Sequence, residues 1–508
     1  MQIHSFYQES IHPQKITIEI HSRFQIPSFQ ILGLPAPEIQ EARERIIAAF
    51  GAAQFEFPKK RVIVNLAPSS IRKSGTGHDL GIALQVLSTV LDIKWPEKLF
   101  AWGELGLDGS VKPCGKTASL LELLIPEAVP VILAKEDALT LASLLEWRKM
   151  QGLKVPAQIK IYSIENLNEI LEIFERPAFK LNGATPKSTT RESHLMPMHE
   201  SLLRLTKISL VGRHHTLILG PKGVGKSHAL GWFRALLPDP SPNQVWARIL
   251  NHETRSLGTE PFSVHAPIRE VHSQIKPSQL LGSFGPKGFR AGELSLAHGG
   301  IFVADEFLEW PRDSKECLRD PLQSKQVILT RTQGSTAFPC DVQLIGTGNL
   351  CPCGGLPAQF LALIPTSNKK NQRCHCRPGE VFHYFKKLSG PILDRIDLVT
   401  LYADSGAVAK ERVPVKEHAI AIETARRFAL ERFGNLPSDL SVEWLEKNLP
   451  TPPQFQTLLE RLPNLRSRHK VMRIARSIQA LDASSELTEE QVFEAMTFRF
   501  MSSAIEGN

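Results

Sequence analysis

The sequence predicts a mixed α/β protein built from several domains, and three observations support this prediction. The chain has 508 residues, too many for one hydrophobic core, and at roughly 150 residues per domain the length suggests about three domains. Short β-branched runs alternate with helical stretches along most of the chain, as in α/β domains. From about residue 410 onward, the apolar residues follow only a helical period.

The first predicted domain covers residues 1–178. Its strand-like runs are KITIEI at 15–20, RVIVNLAP at 61–68 and PVILA at 130–134, and the stretch PEIQEARERIIAAFGA between the first two has helical spacing. Strands and helices that alternate in this way pack as a sheet covered by helices. We therefore expect an α/β domain here.

The rest of the chain divides into a linker and two further domains. Residues 179–195 are polar, contain Gly and Pro and lack apolar periodicity, so they predict the linker. In residues 196–402 the runs HHTLILG, GGIFVADE and DVQLIGTGN alternate with helices, which favours a doubly wound parallel sheet. Residues 403–508 contain HAIAIETARRFALERF and HKVMRIARSIQAL and predict a small helical domain.

Composition narrows the protein class. Hydrophobic residues make up 42% and charged residues 22% of the chain, which is a globular balance, and no apolar run approaches the roughly 18 residues of a membrane helix. The N-terminus MQIHSFYQES lacks the pattern of a secretory signal, so we expect a cytoplasmic protein. A formal charge of +8 is a weak indication of a polyanionic partner.

A phosphate-binding loop is the strongest motif. The segment TLILGPKGVGKSHAL at 216–230 contains G-x-x-x-x-G-K-S directly after an apolar strand and before a helix, the context that this motif requires. The glycines let backbone N–H groups face phosphates, the lysine reaches the β/γ-phosphates and the serine hydroxyl ligates Mg²⁺. A chance glycine-rich turn is the alternative. The predicted nucleotide-binding residues are Gly220, Gly223, Val224, Gly225, Lys226 and Ser227.

Two later strands end in polar residues that suit the same site. GGIFVADEF ends in Asp305 and Glu306, where one carboxylate can hold Mg²⁺ through water and the other can polarise the attacking water. VQLIGTGN ends in Asn349, which could position that water. Taken alone, two acids at a strand end are commonly only solvated, and an asparagine there is more often a turn former.

These motifs resemble those of the ComM/YifB-type, magnesium-chelatase-like AAA+ ATPases over nearly the whole chain. The resemblance rests on GLPAPEIQEARERIIAA, RVIVNLAPSSIRKSGTGHDLGIAL, WGELGLDGSVKP, GPKGVGKS, ELSLAHGGIFVADEF, LRDPLQ, CPCGG, LSGPILDRIDL and SRHKVMRIARSI. It implies an N-terminal Lon-protease-like (S5-type) α/β domain, a central AAA+ domain with chelatase-type insertions and a helical lid. It also implies ATP and Mg²⁺ as cofactors, a homohexameric ring and, in the ComM branch, DNA branch migration during natural transformation.

The resemblance also implies roles for two arginines. Arg395, in SGPILDRID, matches the arginine offered to the γ-phosphate of a neighbouring subunit, and Arg468, in RSRHKVMRIAR, matches the lid arginine that reports the nucleotide state. A guanidinium suits both roles because it can neutralise charge on phosphoryl oxygens. The alternatives are an ion pair of Arg395 with Asp394 or Asp397, and a solvated helix face for Arg468. The catalytic residues implied are Glu306, Asp305, Asn349, Arg395 and Arg468.

A Lon-like first domain raises the question of proteolysis. Where the nucleophilic serine would stand the chain has Asp79, and where the partner lysine would stand it has Leu120. Neither side chain can form an acyl-enzyme or act as the amine base. Ser74 and Lys116 lie nearby in sequence and keep an offset alignment open, but we interpret the domain as a non-catalytic scaffold or partner surface.

Four of the seven cysteines form two close pairs. CPCGG and CHC supply Cys351, Cys353, Cys374 and Cys376, and four thiolates can close a tetrahedral Zn²⁺ site, although C-x-C is tighter than the spacing of common zinc modules. His375 is an alternative ligand, and reduced cytosolic cysteines are the alternative to a site. The intervening TSNKKNQR is basic and could touch DNA in a ring pore.

The resulting hypothesis is a DNA-translocating hexamer with Glu306 as the base. Lys287, Arg290 and Arg331 lie in segments that chelatase-type modules use for pore insertions and hairpins, and they are the candidate DNA contacts. The alternatives are a motor that remodels a protein partner without touching nucleic acid and, third, an ATP-dependent protease. The chain departs from the family pattern at Lys222, where a second proline is usual, and at Leu350; neither change removes a catalytic group.

Overall fold

A computed structural model gives the fold of the chain. It describes residues 1–71, 73–156, 159–179, 199–255, 263–285, 288–332, 334–358, 360, 374–402, 414–448, 459, 462 and 464–506. Most of the predicted linker, from residue 180 onward, and the basic segment TSNKKNQR therefore lie outside the described residues. The described part is a mixed α/β protein with two large sheets, three two-stranded sheets and a helical C-terminal region.

The first sheet has seven strands. The strands of this region are β1 (Gln2–Tyr7), β2 (Gln14–Arg23), β3 (Ser28–Leu32), β4 (Arg61–Ala67), β5 (Lys98–Trp102), β6 (Glu104–Leu105), β7 (Val111–Lys112), β8 (Val131–Ala134) and β9 (Ile161–Ile164). The sheet order is β3-β4-β2-β1-β5-β8-β9, and β6 pairs with β7 separately. Strand β2 runs antiparallel to β1 and β4, whereas the other neighbours in the sheet are parallel.

Helices cover this sheet. They are α1 (Pro37–Ala52), α2 (His78–Leu87), α3 (Thr117–Leu124) and α4 (Lys135–Met150), with a 3-10 turn at Leu167–Leu171. Helix α1 shows why such segments form: proline occupies its first position, where no amide hydrogen is needed. Its buried residues Ile39, Ala42, Ile46 and Ala49 recur every three or four positions and give it one apolar face.

The second sheet contains the phosphate-loop strand. The strands of this region are β10 (Thr216–Leu219), β11 (Ile268–Glu270), β12 (Gly282–Gly285), β13 (Gly288–Ala291), β14 (Ile301–Ala304), β15 (Gln326–Arg331), β16 (Gly334–Pro339), β17 (Gln343–Gly348) and β18 (Leu398–Leu401). Five of them form a parallel sheet in the order β11-β14-β17-β10-β18. Strands β12 and β13 form one antiparallel hairpin, and β15 and β16 form another.

This parallel sheet is buried on both faces, as its continuous apolar strands predict. Along β10, Leu217 and Leu219 belong to one hydrophobic core and Ile218 belongs to another. The helices of this region are α5 (Glu200–Gly212), α6 (Lys226–Leu236), α7 (Pro242–Arg255), α8 (Pro277–Leu281), α9 (Glu293–Leu296), α10 (Arg312–Glu316), α11 (Arg319–Ser324), α12 (Pro378–Phe385) and α13 (Gly390–Leu393), with a 3-10 turn at Phe307–Glu309.

The C-terminal region is helical. It contains α14 (Val415–Phe433), α15 (Val442–Lys447), α16 (Leu465–Leu481) and α17 (Glu489–Glu506), with a 3-10 turn at Pro437–Asp439. Helix α16 packs against α5, α14 and α17, so it joins the core on one face of the second sheet. Its buried Lys470 donates a 2.9 Å hydrogen bond to the carbonyl of Ile396, just before β18.

Helix α7 connects the two sheet regions. The Glu253 carboxylate accepts 2.8 Å hydrogen bonds from the amides of Ala118 and Ser119, which open α3, and a 2.6 Å bond from the Ser119 hydroxyl. The Arg148 guanidinium lies 4.2 Å from the ring centre of Trp246. These contacts join the first sheet region directly to the helix that follows the nucleotide-loop helix α6.

Candidate nucleotide site

The phosphate loop leaves the end of β10 and runs into α6, as the motif predicts. Gly223 and Gly225 have φ angles of 84° and 90°, a region that glycine adopts without steric cost. A Cβ on Gly220 would collide with the carbonyl oxygen of Tyr402, whereas a Cβ on Gly223 would meet open space. Val224 is buried and anchors the loop to the protein interior. The loop thus has the open backbone cradle that a phosphate chain needs.

Lys226 lies inside this cradle. Its ammonium donates 2.8 Å hydrogen bonds to the carbonyls of Gly220 and Pro221 and a 3.1 Å bond to the Asn349 side chain. Burial lowers the pKa of Lys226, while the nearby carboxylates of Asp305 and Glu306 oppose that shift. The lysine is therefore positioned by the loop itself.

The neighbouring strand ends bring the other predicted residues to the same edge. Strand β17 pairs with both β10 and β14, so Asn349 after β17 lies between the loop and the two acids after β14. Ser227 is exposed in the first turn of α6. The site occupies the carboxyl edge of the sheet beside β10, where the strand order reverses, which is where open α/β sheets bind ligands.

A further residue, Thr347, holds the two acids. The Thr347 hydroxyl donates to the Asp305 carboxylate and accepts a 3.2 Å hydrogen bond from the amide of Glu306. Glu306 has a φ angle of 49°, a left-handed conformation uncommon for a residue with a side chain. Sequence reasoning missed Thr347, although its place near the end of the strand that Asn349 follows was a usable signal.

Arg395 lies at the opposite edge of the sheet, where the strands begin. It precedes β18 and lines a cavity of about 450 Å³. The same cavity is lined by His215, Val342 and Asp397, which directly precede β10, β17 and β18. A four-residue strand such as β10 spans about 13 Å, so Arg395 cannot reach the phosphate loop of its own chain. Its guanidinium donates a 2.5 Å hydrogen bond to Gln323.

The two carboxylates considered as partners of Arg395 contact other groups. Asp394 lies 3.7 Å from Arg466, and Asp397 lies 3.6 Å from Lys470 and 3.5 Å from His214. These neighbours hold the pKa of Asp397 well below its usual range, although burial alone would raise it. In the described residues, the lysine and arginine beside Asp394 and Asp397 thus come from α16.

Arg468 lies on α16, near the same edge as Arg395. The contacts of Arg466 with Asp394 and of Lys470 with Ile396 fix this end of the helix beside the Arg395 segment. Arg468 is half-buried, and within the described residues its Nε has no hydrogen-bond partner. The structure therefore separates the predicted site residues into two groups, one at each edge of the sheet.

The four cysteines converge beside the phosphate loop. The Sγ atoms of Cys351, Cys353, Cys374 and Cys376 all lie within 4.8 Å of one another. His375 is exposed and does not belong to this group of donor atoms.

The candidate DNA contacts are less defined. Lys287 lies outside the described residues. Arg290 is half-buried on β13, and Arg331 is exposed at the end of β15, beside the turn of its hairpin.

In the first sheet region, the residues at the aligned protease positions are structural. Asp79 is buried and forms an ion pair with Arg45 at 2.7 Å, and burial raises its pKa to about 6. Leu120 is completely buried. No hydroxyl and amine pair stands at these two positions.

Comparison with known proteins places the chain in a family. Residues 198–407 match the family model described as magnesium chelatase, subunit ChlI; residues 18–136 match subunit ChlI of Mg-chelatase; and residues 414–499 match the ChlI C-terminal model. None of the helices in the described part is both long and apolar enough to cross a membrane.

Full-length relatives show the same relationship. The chain is 28% identical to competence protein ComM of Haemophilus influenzae over 508 aligned residues, covering 96% of this chain and 94% of that protein. It is 27% identical to YifB of Escherichia coli, covering 98% and 96%, and 26% identical to an uncharacterized protein of Mycobacterium tuberculosis, covering 95% of each. The chain therefore belongs to the ComM/YifB-type family of magnesium-chelatase-like AAA+ ATPases.

Proposed function

We propose that this protein is an ATP-hydrolysing ring motor that acts on DNA and whose nucleotide sites are each completed by a neighbouring subunit. The observation that carries the proposal is the separation of the site residues across the second sheet. Lys226, Asp305 and Asn349 lie at its carboxyl edge, and Arg395 and Arg468 lie at the other edge. Because AAA+ proteins typically form oligomers, an adjacent subunit can supply the missing arginines.

The residues at the carboxyl edge fit ATP and Mg²⁺. The Ser227 hydroxyl and the Asp305 carboxylate provide the oxygen donors that Mg²⁺ prefers, and the open loop around Gly223 would hold the phosphates. When bound, Mg²⁺ neutralises charge on the phosphate oxygens. With ATP bound, Lys226 would donate to phosphate oxygens in place of the loop carbonyls.

Water activation falls to the residues beside the loop. Glu306, whose backbone is left-handed, acts as the general base, and Asp305 carries the metal-binding role. Asn349 orients the attacking water. Arg395 from the next subunit neutralises charge on the transferring phosphoryl group, and Arg468 reports the nucleotide state.

DNA is the proposed substrate. A net charge of +8, the two hairpins that carry Arg290 and Arg331 and the relationship to a protein named for competence support it. The first sheet region is proposed as a non-catalytic scaffold, because Asp79 forms an ion pair with Arg45 and Leu120 is buried. The protease alternative would need a nucleophile elsewhere in that region.

The test measures ATP hydrolysis with and without single-stranded, duplex and forked DNA at several salt concentrations. We expect DNA to raise the rate, and added salt to weaken this stimulation because phosphate contacts release counterions. The change Glu306→Gln should lower the rate by about 100-fold or more while nucleotide still binds, and Asp313→Asn, at an exposed carboxylate on α10, is the matched control. A rate that no DNA form changes would favour the protein-remodelling motor instead.

A further inference from the structure

The cysteine cluster has the geometry of a closed metal centre. Cys351 and Cys353 have Sγ atoms 3.2 Å apart, and the Cys353 and Cys374 Sγ atoms are 3.7 Å apart. All four sulfurs lie within 4.8 Å of one another. In a tetrahedral site with metal–sulfur bonds of about 2.3 Å, neighbouring sulfurs are roughly 3.8 Å apart. The four side chains therefore need only small adjustments to surround one ion.

Backbone contacts bring the two C-x-C pairs together. The amide of Cys374 donates a 3.1 Å hydrogen bond to the carbonyl of Leu356, and the amide of Cys376 donates a 3.2 Å bond to the Cys374 sulfur. Gly354, with a φ angle of 77°, turns the first pair back on itself. The short C-x-C spacing is thus compatible with a site, because each pair approaches the ion from a tight turn.

The donor set selects the metal class. Four thiolates in a tetrahedral arrangement favour Zn²⁺, a borderline-soft cation without a geometric preference of its own. A protein ligand in every position leaves no open position for catalysis, which is the pattern of a structural site.

The cysteine turn also contacts the phosphate loop. The carbonyl of Gly354 accepts a 2.8 Å hydrogen bond from the amide of Lys222. Five residues earlier, Asn349 accepts a 3.1 Å hydrogen bond from Lys226. The segment from Asn349 to Gly354 therefore contacts the loop at two points, and Cys351 and Cys353 lie between them.

We propose that Cys351, Cys353, Cys374 and Cys376 bind one structural Zn²⁺ and that this ion fixes the turn that holds the phosphate loop through Lys222. The metal site does not depend on the proposed function. The effect of the metal on nucleotide binding does rest on the proposed function. The cysteines are positioning residues for the loop, since none of the contacts described for them reaches the cradle itself.

The first experiment measures metal content in the full chain purified under reducing conditions. We expect one zinc per chain by elemental analysis, and after exchange with Co²⁺ the visible absorption bands of tetrahedral cobalt bound to sulfur. The double change Cys374→Ser with Cys376→Ser should lose both signals, whereas Cys317→Ser, outside the cluster, should keep them. A wild-type chain without metal that also takes up no Co²⁺, or one whose four cysteines are joined in disulfides, would overturn the site.

The second experiment tests the coupling without touching the cysteines. Although a proline is usual at this position in the family, Lys222→Pro tests the contact in this chain, because it removes the amide donor to Gly354. Lys222→Ala keeps that donor while removing the side chain. We expect both variants to retain zinc, and only Lys222→Pro to weaken binding of a fluorescent ATP analogue, by about three- to tenfold. Equal affinity in the two variants would refute the coupling. A wild-type chain that holds zinc but binds no ATP would instead refute the proposed function.

Discussion

At the scale of single residues, Thr347 organises the candidate catalytic acids. One hydroxyl contacts both the Asp305 carboxylate and the Glu306 amide. Glu306 itself adopts a left-handed backbone, which costs free energy and persists only where the surroundings enforce it. A neutral side chain on the adjacent strand therefore contacts the Asp305 carboxylate and the Glu306 backbone.

Replacing Thr347 should distinguish the positioning of the two acids from the binding of ATP. Thr347→Val removes a hydrogen bond to a charged group, a type worth about 1.5–3 kcal/mol, so we expect kcat to fall by roughly 10- to 100-fold while ATP affinity changes little. Thr347→Ser retains the hydroxyl and should keep most of the rate. Steady-state ATPase measurements check both variants, and a Thr347→Val rate equal to wild type would show that the hydroxyl does not orient the acids.

At the scale of elements, helices α3 and α7 form a joint between the two sheet regions. Helix α3 has no side-chain cap of its own, and Glu253 from α7 accepts its first amides. A carboxylate at a helix N-terminus is stabilised by the free amides and by the helix dipole. Burial raises the pKa of Glu253, and the hydrogen bonds from Ser119 and Ala118 oppose that rise.

Removal of this carboxylate should loosen the joint. Glu253→Ala leaves the α3 amides buried without an acceptor, so we expect a loss of about 2–4 kcal/mol in the free energy of unfolding. Glu253→Gln keeps one acceptor oxygen and should lose less. Thermal unfolding and limited proteolysis provide the measurements, with Glu146→Ala on the exposed face of α4 as the control. If Glu253→Ala melts like that control, the contact does not hold the regions together.

The sequence predicted elements well where the signal was local. The phosphate loop, the strand before Asp305 and the strand before Asn349 lie where their patterns indicated, because strand ends of a parallel sheet meet at one edge. The roles assigned to those residues stay predictions. The Glu253 contact joins residues more than a hundred positions apart, and no local pattern encodes such a contact.

At the scale of the whole molecule, the sheet divides the candidate site. The phosphate loop and the two acids face one edge, whereas Arg395 and the start of α16 face the other. The sequence motifs identified both groups of residues, but they did not predict at which end of the strands the arginines lie. That placement depends on how α13 and α16 pack against the sheet. Under the proposed function, a single chain therefore carries two halves of different sites.

The most direct test of this division mixes two inactive variants. Lys226→Ala lacks a working loop but keeps Arg395, and Arg395→Ala lacks the arginine but keeps the loop. If the site is shared in a ring, about a quarter of the ordered interfaces in an equal mixture combine an intact loop with an intact arginine. We predict that ATPase activity reappears on mixing, in assemblies shown to contain both differently tagged variants. Mixed assemblies that hydrolyse ATP no faster than the average of the two inactive parents would contradict the shared site.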